Sequence, residues 1–233
     1  MIVSIHCGDW RDVLASWPSV CVLICDPPYG IDYVSGHHEG YAHTDGTPRQ
    51  LADRVVGDLD TTERDAAMSS IPWCDAAVFG PSVSKLRAVP PWGLPRDILI
   101  LDKGEGVGMG DLSWPWKPCD ETIAIYGKGW SGRRTSRILR GSVIAFGRSS
   151  ASNGRLHPNE KSLAVCRELV SKAPAGLPIV DPFMGSGVVG SACLLEDRDY
   201  YGAEIDPVFF ALASDRLGVT NGPMFTRCVH GDS

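Results

Sequence analysis

Two short stretches of this 233-residue chain carry residue types suited to chemistry. The first, ICDPPYG at 24–30, places an acid, two prolines and an aromatic directly after an apolar run. Asp26 can accept hydrogen bonds, and Tyr29 offers a ring face. Pro27 and Pro28 fix φ and bring no N–H, so the acceptors around them are held stiffly. The stretch looks like the mouth of a catalytic site. In the second, LPIVDPFMGSGVVGSACLLEDRDYYGAEID, Gly185, Gly187 and Gly190 form G-x-G-x-x-G between a strand-like and a helix-like run. Glu204 follows Gly185 by nineteen residues, at the end of the next strand-like run. Glycines let a ligand approach the backbone, and the acid can accept from ribose hydroxyls, which is the pattern of a nucleotide-type cofactor site.

These motifs need strands and helices to position them, and the hydrophobic pattern supplies both. Strand-like runs cover 2–5, 20–25, 76–79, 98–101, 122–126, 143–146, 179–180 and 200–205. Helical runs are expected over 62–70, 82–89, 160–172, 186–196 and 207–217. The alternation predicts an α/β fold in a single domain spanning 1–233. Residues 31–60 are polar and turn-rich, which predicts a mobile loop directly after the first motif. Only 43 residues follow Gly190, enough for one strand and two helices. The remaining strands must come from the N-terminal part, so the sheet is assembled in permuted order, unlike an NAD-binding domain.

Composition narrows the class. Hydrophobic residues are 43% and charged residues 21%, the ordinary globular range. The longest apolar runs fall far short of the ~18 residues of a membrane span, and the N-terminus lacks signal-peptide character. This predicts a cytoplasmic protein with no membrane partner. The eight cysteines are scattered without a CxxC pair, so no metal site is expected and most read as small buried hydrophobes in a reducing compartment. Cys119, in KPC, is read as structural.

Four segments, DPPYG, HPNEKSLAV at 157–165, DPFMGSG and GAEID, occur in that order. Together with HCGDWRDVL at 6–14 and the middle region from Ile100 to Gly129, they resemble the amino-group DNA methyltransferases of the beta permutation class. The resemblance spans most of the chain. It departs at Lys161-Ser162, where the family has lysine-proline. It implies a Rossmann-like class I methyltransferase sheet, helices on both faces, with S-adenosylmethionine as cofactor. Asp181, Phe183, Gly185, Ser186 and Gly187 would wall the methionine end, with Glu204 on the ribose and Ile205 against the adenine. His157 and Lys161 would lie near the cofactor's carboxylate. Asp9 could accept from the adenine amine, a place for which the segment 228–232 competes.

The resemblance also gives DPPY a task. An exocyclic base amine is a poor nucleophile because its lone pair is delocalised into the ring. Asp26 and the Pro27 carbonyl can accept from that amine and favour a pyramidal nitrogen, while Tyr29 stacks on the base at ~1–3 kcal/mol. The methyl then moves in one displacement, and the main contribution is positioning. The implied substrate is adenine in duplex DNA, flipped out of the stack. A cytosine-N4 target, an RNA or protein-amide target, and a non-catalytic nucleic-acid binder are the alternatives. A restriction–modification role is implied, with a homodimer left open and no partner endonuclease named.

A net charge of −6 hides an uneven distribution. From Lys128 to Arg155 there are seven basic residues and no acid, so 15 of the chain's 22 basic residues face all 28 acids elsewhere. This basic segment, 128–155, is expected to contact phosphates through Lys128, Arg133, Arg134, Arg137 and Arg140, with Trp130 and the loop at 31–60 as candidates for reaching into the duplex.

Overall fold

The strand CVLIC, β2 (Cys21–Cys25), is buried at all five residues, as expected of a central strand covered on both faces. The computed structural model describes residues 1–29, 60–81, 92–103, 119–140 and 160–219, together with the backbone of 224–228. In chain order the elements are β1 (Ile2–Cys7), β2, α1 (Thr62–Ser70), β3 (Trp73–Gly80), β4 (Asp97–Asp102), β5 (Asp120–Tyr126) and β6 (Ile138–Arg140). They continue as α2 (Leu163–Lys172), β7 (Ile179–Asp181), α3 (Val188–Leu195), β8 (Tyr200–Glu204), α4 (Pro207–Leu217) and β9 (Met224–Cys228).

The strands form one nine-stranded sheet in the order β6-β4-β5-β3-β2-β7-β8-β1-β9. From β3 through β1 the neighbours are parallel, whereas β5 runs antiparallel to both β3 and β4. The C-terminal strands β7 and β8 therefore insert between the N-terminal strands β2 and β1. Val22 and Ile24 pack on the face covered by α2 and α3, and Cys21, Leu23 and Cys25 on the face covered by α1 and the Trp10 turn. Period-two alternation thus feeds two cores from a strand that reads as continuously apolar.

Local chemistry sets the helix ends. Asp206 accepts from the N–H groups of Val208 and Phe209, Pro207 opens α4, and Gly218 closes it with φ 63°. At the end of α2, Arg198 donates to the carbonyls of Val170, Ala173, Pro174 and Leu177 and so gathers the last turn of the helix and the turn that follows it.

Two helices start later than their apolar patterns predict. Ser162 is extended, at φ −66° and ψ 127°, so α2 begins at Leu163 rather than 160. Gly185 and Gly187 have φ of 53° and 79°, so α3 begins at Val188 rather than 186. Two edge strands escaped the pattern, since β6 is three residues long and mostly exposed and β9 has no apolar alternation. The expected helix at 82–89, the expected strand at 143–146 and nearly all of the loop at 31–60 lie outside the described residues. Among the described residues no helix is long and apolar enough to cross a membrane.

Candidate active site

Because β1, β8, β7 and β2 are parallel neighbours, their C-terminal ends line up on one edge of the sheet. β2 brings Asp26 to Tyr29 there, β7 brings Asp181 and the glycine turn, and β8 ends at Glu204. After β2 the sheet grows toward β3, and after β7 it grows toward β8 on the other side. The two motifs thus flank a topological switch point, where open α/β sheets form their ligand crevice.

Four charged groups alternate at the mouth of β2. Lys161 Nζ lies 3.0 Å from Asp26 Oδ2 and 2.9 Å from Glu121 Oε2, and Glu121 Oε1 pairs with Lys103. Lys161 also donates to the Tyr29 hydroxyl at 3.0 Å, and that hydroxyl donates to Asp26 Oδ1 at 2.6 Å. The Lys161 side chain is only 7% exposed, whereas Asp26 keeps 32% of its side chain open. Burial raises the Asp26 carboxyl above its ordinary range; the Lys161 ammonium opposes this and Glu121 adds to it. Burial works against the Lys161 ammonium, but Asp26, Tyr29 and Glu121 together carry its pKa well above the ordinary lysine value. Glu121 is lowered, because the ammoniums of Lys161 and Lys103 outweigh its burial.

The three glycines of the turn have different surroundings. A Cβ built on Gly185 would meet no atom within 4 Å, so this position faces open space. On Gly187 it would lie 3.0 Å from the Ala213 Cβ, and on Gly190 2.8 Å from the Tyr200 ring. Gly187 and Gly190 therefore let α3 pack closely, and Gly185 alone leaves a cradle beside the backbone. Glu204 sits across it, accepting from Gly185 N–H and Asp206 N–H at 2.8 Å each. The Ile205 N–H is a further backbone partner, and the carboxylate still retains a lone pair for one more donor. Asp181 is buried at the head of the turn, accepting from Phe183 N–H at 3.2 Å and from the Tyr200 hydroxyl at 3.4 Å. Burial pushes its carboxyl well above the ordinary range, and among the described residues it forms no ion pair. An acid in that setting suits a ligand that brings a positive charge.

The other expected residues fall in several places. Ile205 is 51% exposed beside Glu204, open to stack on a ring. Ser186 donates to Glu160, which is paired with Arg216 at 2.9 Å. Asp9 follows β1 on the same edge and is paired with Arg11, whose guanidinium also holds Glu63. His157 and 229–232 lie outside the described residues. Lys161, expected at the cofactor's carboxylate, is turned toward Asp26, Tyr29 and Glu121.

The residues expected to contact DNA at 128–137 lie away from the Asp26 edge. β5 runs against its neighbours, so Glu121 lies at the Asp26 edge and Tyr126 at the opposite one, roughly 17 Å away at ~3.4 Å per residue. The segment from Lys128 to Arg134 continues from that far end, where Asp75 accepts from Gly129 N–H and Lys172 from α2 contacts the Arg133 carbonyl. Trp130 does not reach outward: its indole N–H donates to the Tyr126 carbonyl at 2.7 Å and its ring packs on the core. Arg137 is still at the far end, 3.1 Å from Asp97. β6 then runs back, and Arg140, in register with Asp102, reaches the Asp26 edge.

Glu121, Lys103, Glu160 and Arg216 were not anticipated. The one sequence signal for Glu121 was an acid opening an apolar strand, which does not name its partners.

The order and directions of these strands, with helices on both faces, make a Rossmann-like α/β fold of the class I methyltransferase type. Solved structures agree on the fold. The M1.HpyAVI–SAM complex superimposes with a TM-score of 0.58 at 18% identity, covering 92% of this chain and 100% of that one. PvuII DNA methyltransferase, cytosine-N4-specific, gives 0.61 at 14% identity, covering 93% and 86%. Residues 114–215 match the N6/N4 methyltransferase family model, described as DNA methylase. Type II methyltransferase M.XycI of Xanthomonas campestris pv. cyanopsidis is 51% identical over 39 residues, 17% of this chain and 13% of that protein. M.Cfr9I of Citrobacter freundii is 41% identical over 49 residues, 21% of this chain and 16% of its own. The similarity to these two curated relatives thus spans less than a fifth of their length. Over these segments the chain is similar to the N6/N4 DNA methylase family and to type II methyltransferases.

Proposed function

We propose that this protein transfers a methyl group from S-adenosylmethionine to the exocyclic amine of adenine in duplex DNA. The observation carrying this reading is that Asp26 and the Gly185 cradle emerge from hydrogen-bonded neighbours, β2 and β7, at the same edge of the sheet. A ligand in the cradle and an amine at Asp26 would then be adjacent. Bound S-adenosylmethionine supplies a methyl group made electrophilic by its sulfonium.

The chain's residues supply the rest. Gly185 leaves room along the backbone, Glu204 can accept from the ribose, and Asp181 can meet positive charge. Asp26 and the Pro27 carbonyl accept from the amine and turn its lone pair toward the methyl. Tyr29 offers its ring to the base, which must leave the stack to arrive there. The amine exchanges one N–H bond for N–CH3, and the proton leaves through its hydrogen bond to Asp26. The choice of adenine rests on the aspartate heading DPPY, and a restriction–modification role on the relation to type II methyltransferases.

Incubation with labelled cofactor and unmethylated DNA, followed by nucleoside analysis, is the test. N6-methyladenine is the expected product. N4-methylcytosine would keep the reaction class and overturn the base, and no labelled nucleoside from folded, cofactor-binding protein would overturn the reading.

A further inference from the structure

The Lys161 ammonium has three protons and three acceptors, each drawn from a different group at the mouth of β2. It donates to Asp26 Oδ2 at 3.0 Å, to Glu121 Oε2 at 2.9 Å and to the Tyr29 hydroxyl at 3.0 Å. Tyr29 completes the circuit by donating to Asp26 Oδ1 at 2.6 Å. Below, Nζ stands 5.5 Å from the ring centroids of both Tyr29 and Phe79, so aromatic faces leave it little freedom. All three ammonium protons are thus engaged within this cluster.

We propose that Lys161 and Glu121 are a positioning pair: Glu121 anchors the ammonium, and the anchored ammonium holds Asp26 and Tyr29 in the geometry that meets the target amine. This rests on the function proposed above. The pair does two things for a carboxylate that must accept from an amine. The ammonium opposes the rise that burial gives the Asp26 carboxyl and so favours its ionised form. Glu121, itself held by Lys103, takes a share of the ammonium's charge, so Asp26 is not fully neutralised as an acceptor. Each Asp26 oxygen has one lone pair engaged and one left for the amine. Among the described residues, Asp181 on β7 and the thiols of Cys25 and Cys166 also lie near Asp26 and bring no positive charge, while Arg64 on α1 acts on the neighbouring Cys25 thiol.

Two measurements test the pair. The first follows the Asp26 carboxyl by carbon-detected NMR against pH in the free protein, with no need of activity. Lys161→Met should raise its titration by a pH unit or more, since an adjacent cation typically lowers a carboxyl by 1–3 units. Glu121→Gln should lower it, because a repelling anion goes and the ammonium turns wholly to Asp26. A purely structural role gives no such opposition of signs. The second combines single-turnover rates with calorimetry of S-adenosylmethionine binding. Both variants should lower the rate at least tenfold with cofactor Kd within twofold, and the acid limb should move with the NMR titration. Lys161→Arg should restore the titration but not the rate, since a planar guanidinium cannot send bonds to these three acceptors.

Titrations that do not move, or move in the same direction, overturn the proposal. So does a tenfold weaker cofactor Kd in Lys161→Met with an unchanged Asp26 titration, which would assign the ammonium to the cofactor. If Lys161→Met does not fold, Glu121→Gln decides alone. A wild-type protein that methylates no DNA defeats the function instead, and the titrations still report whether the charges are coupled.

Discussion

The Tyr29 hydroxyl donates to Asp26 Oδ1 at 2.6 Å, so the aromatic ring and the carboxylate of DPPY are tied to each other. The ring alone would make Tyr29→Phe nearly silent, but the bond changes that expectation. Phenylalanine keeps the stacking face and loses two hydrogen bonds with charged groups, the one to Asp26 and the one from Lys161, of which the Asp26 bond alone is worth about 1.5–3 kcal/mol. Single-turnover transfer should fall roughly ten- to hundredfold, at about 1.4 kcal/mol per factor of ten. Tyr29→Ala should fall further, since base stacking of ~1–3 kcal/mol also goes. Asp26→Ala should abolish transfer while cofactor binding persists. Equal rates for wild type and Tyr29→Phe would leave the hydroxyl without a role, and equal loss in both Tyr29 variants would do the same for the ring.

The glycine turn makes a contrast between two positions testable. At Gly185 a side chain enters open space, so Gly185→Val should yield a folded protein that no longer binds S-adenosylmethionine, with some cost from the φ of 53°. At Gly190 even a methyl group meets Tyr200 at 2.8 Å and Leu217 at 3.0 Å. Gly190→Ala should therefore lower the melting temperature by several degrees, from roughly 1–3 kcal/mol of overpacking, and affect binding less. Calorimetry and thermal unfolding on both variants separate the two. Cofactor binding unchanged in Gly185→Val would remove the cradle from the site.

What could be read from the sequence was what depends on neighbours along the chain. DPPY, the glycine turn and the caps of α4 are contiguous, and their geometry follows from a few residues. The task of Lys161 was not legible, because Tyr29 is 132 residues away and only the insertion of β7 beside β2 brings them together. The place of the basic segment in the fold was not legible for a related reason. Its charge was counted correctly, but one antiparallel strand, β5, carries Lys128 and Arg133 to the edge away from Asp26. Strand direction leaves no mark in an apolar run such as TIAIY.

Asp181 links cofactor binding to pH. Burial holds its carboxyl well above the usual carboxylate range, so in the free protein it stays protonated where an exposed aspartate has ionised. Its contribution to stability is therefore full below the unfolded value of ~3.9 and is lost as pH rises through the folded value. A cationic ligand favours the ionised form, so binding should release a proton and affinity should rise with pH until Asp181 ionises unaided. Calorimetry in two buffers of different ionisation heat should show more proton release for wild type than for Asp181→Asn. Identical release from the two would show that Asp181 does not meet the ligand's charge.

The arginines of the basic segment should divide by edge. Arg133 and Arg134 lie at the far end of the sheet, and Arg137 is engaged with Asp97 there. A duplex presenting a flipped base to Asp26 meets the other edge, where Arg140 is exposed and only loosely paired with Asp102, at 3.9 Å. Replacing Arg133 or Arg134 by alanine should leave both DNA affinity and its salt dependence unchanged. Arg140→Ala should weaken binding to all sequences alike and reduce the slope of log affinity against log salt by up to ~0.9, the value for one lost phosphate contact on duplex DNA. A loss confined to the cognate sequence would instead assign Arg140 to a base edge. Affinity measured against salt for each single variant, on cognate and scrambled duplexes, decides the matter. A reduced slope in Arg133→Ala or Arg134→Ala with none in Arg140→Ala would place the DNA on the far edge and break the link between the duplex and Asp26.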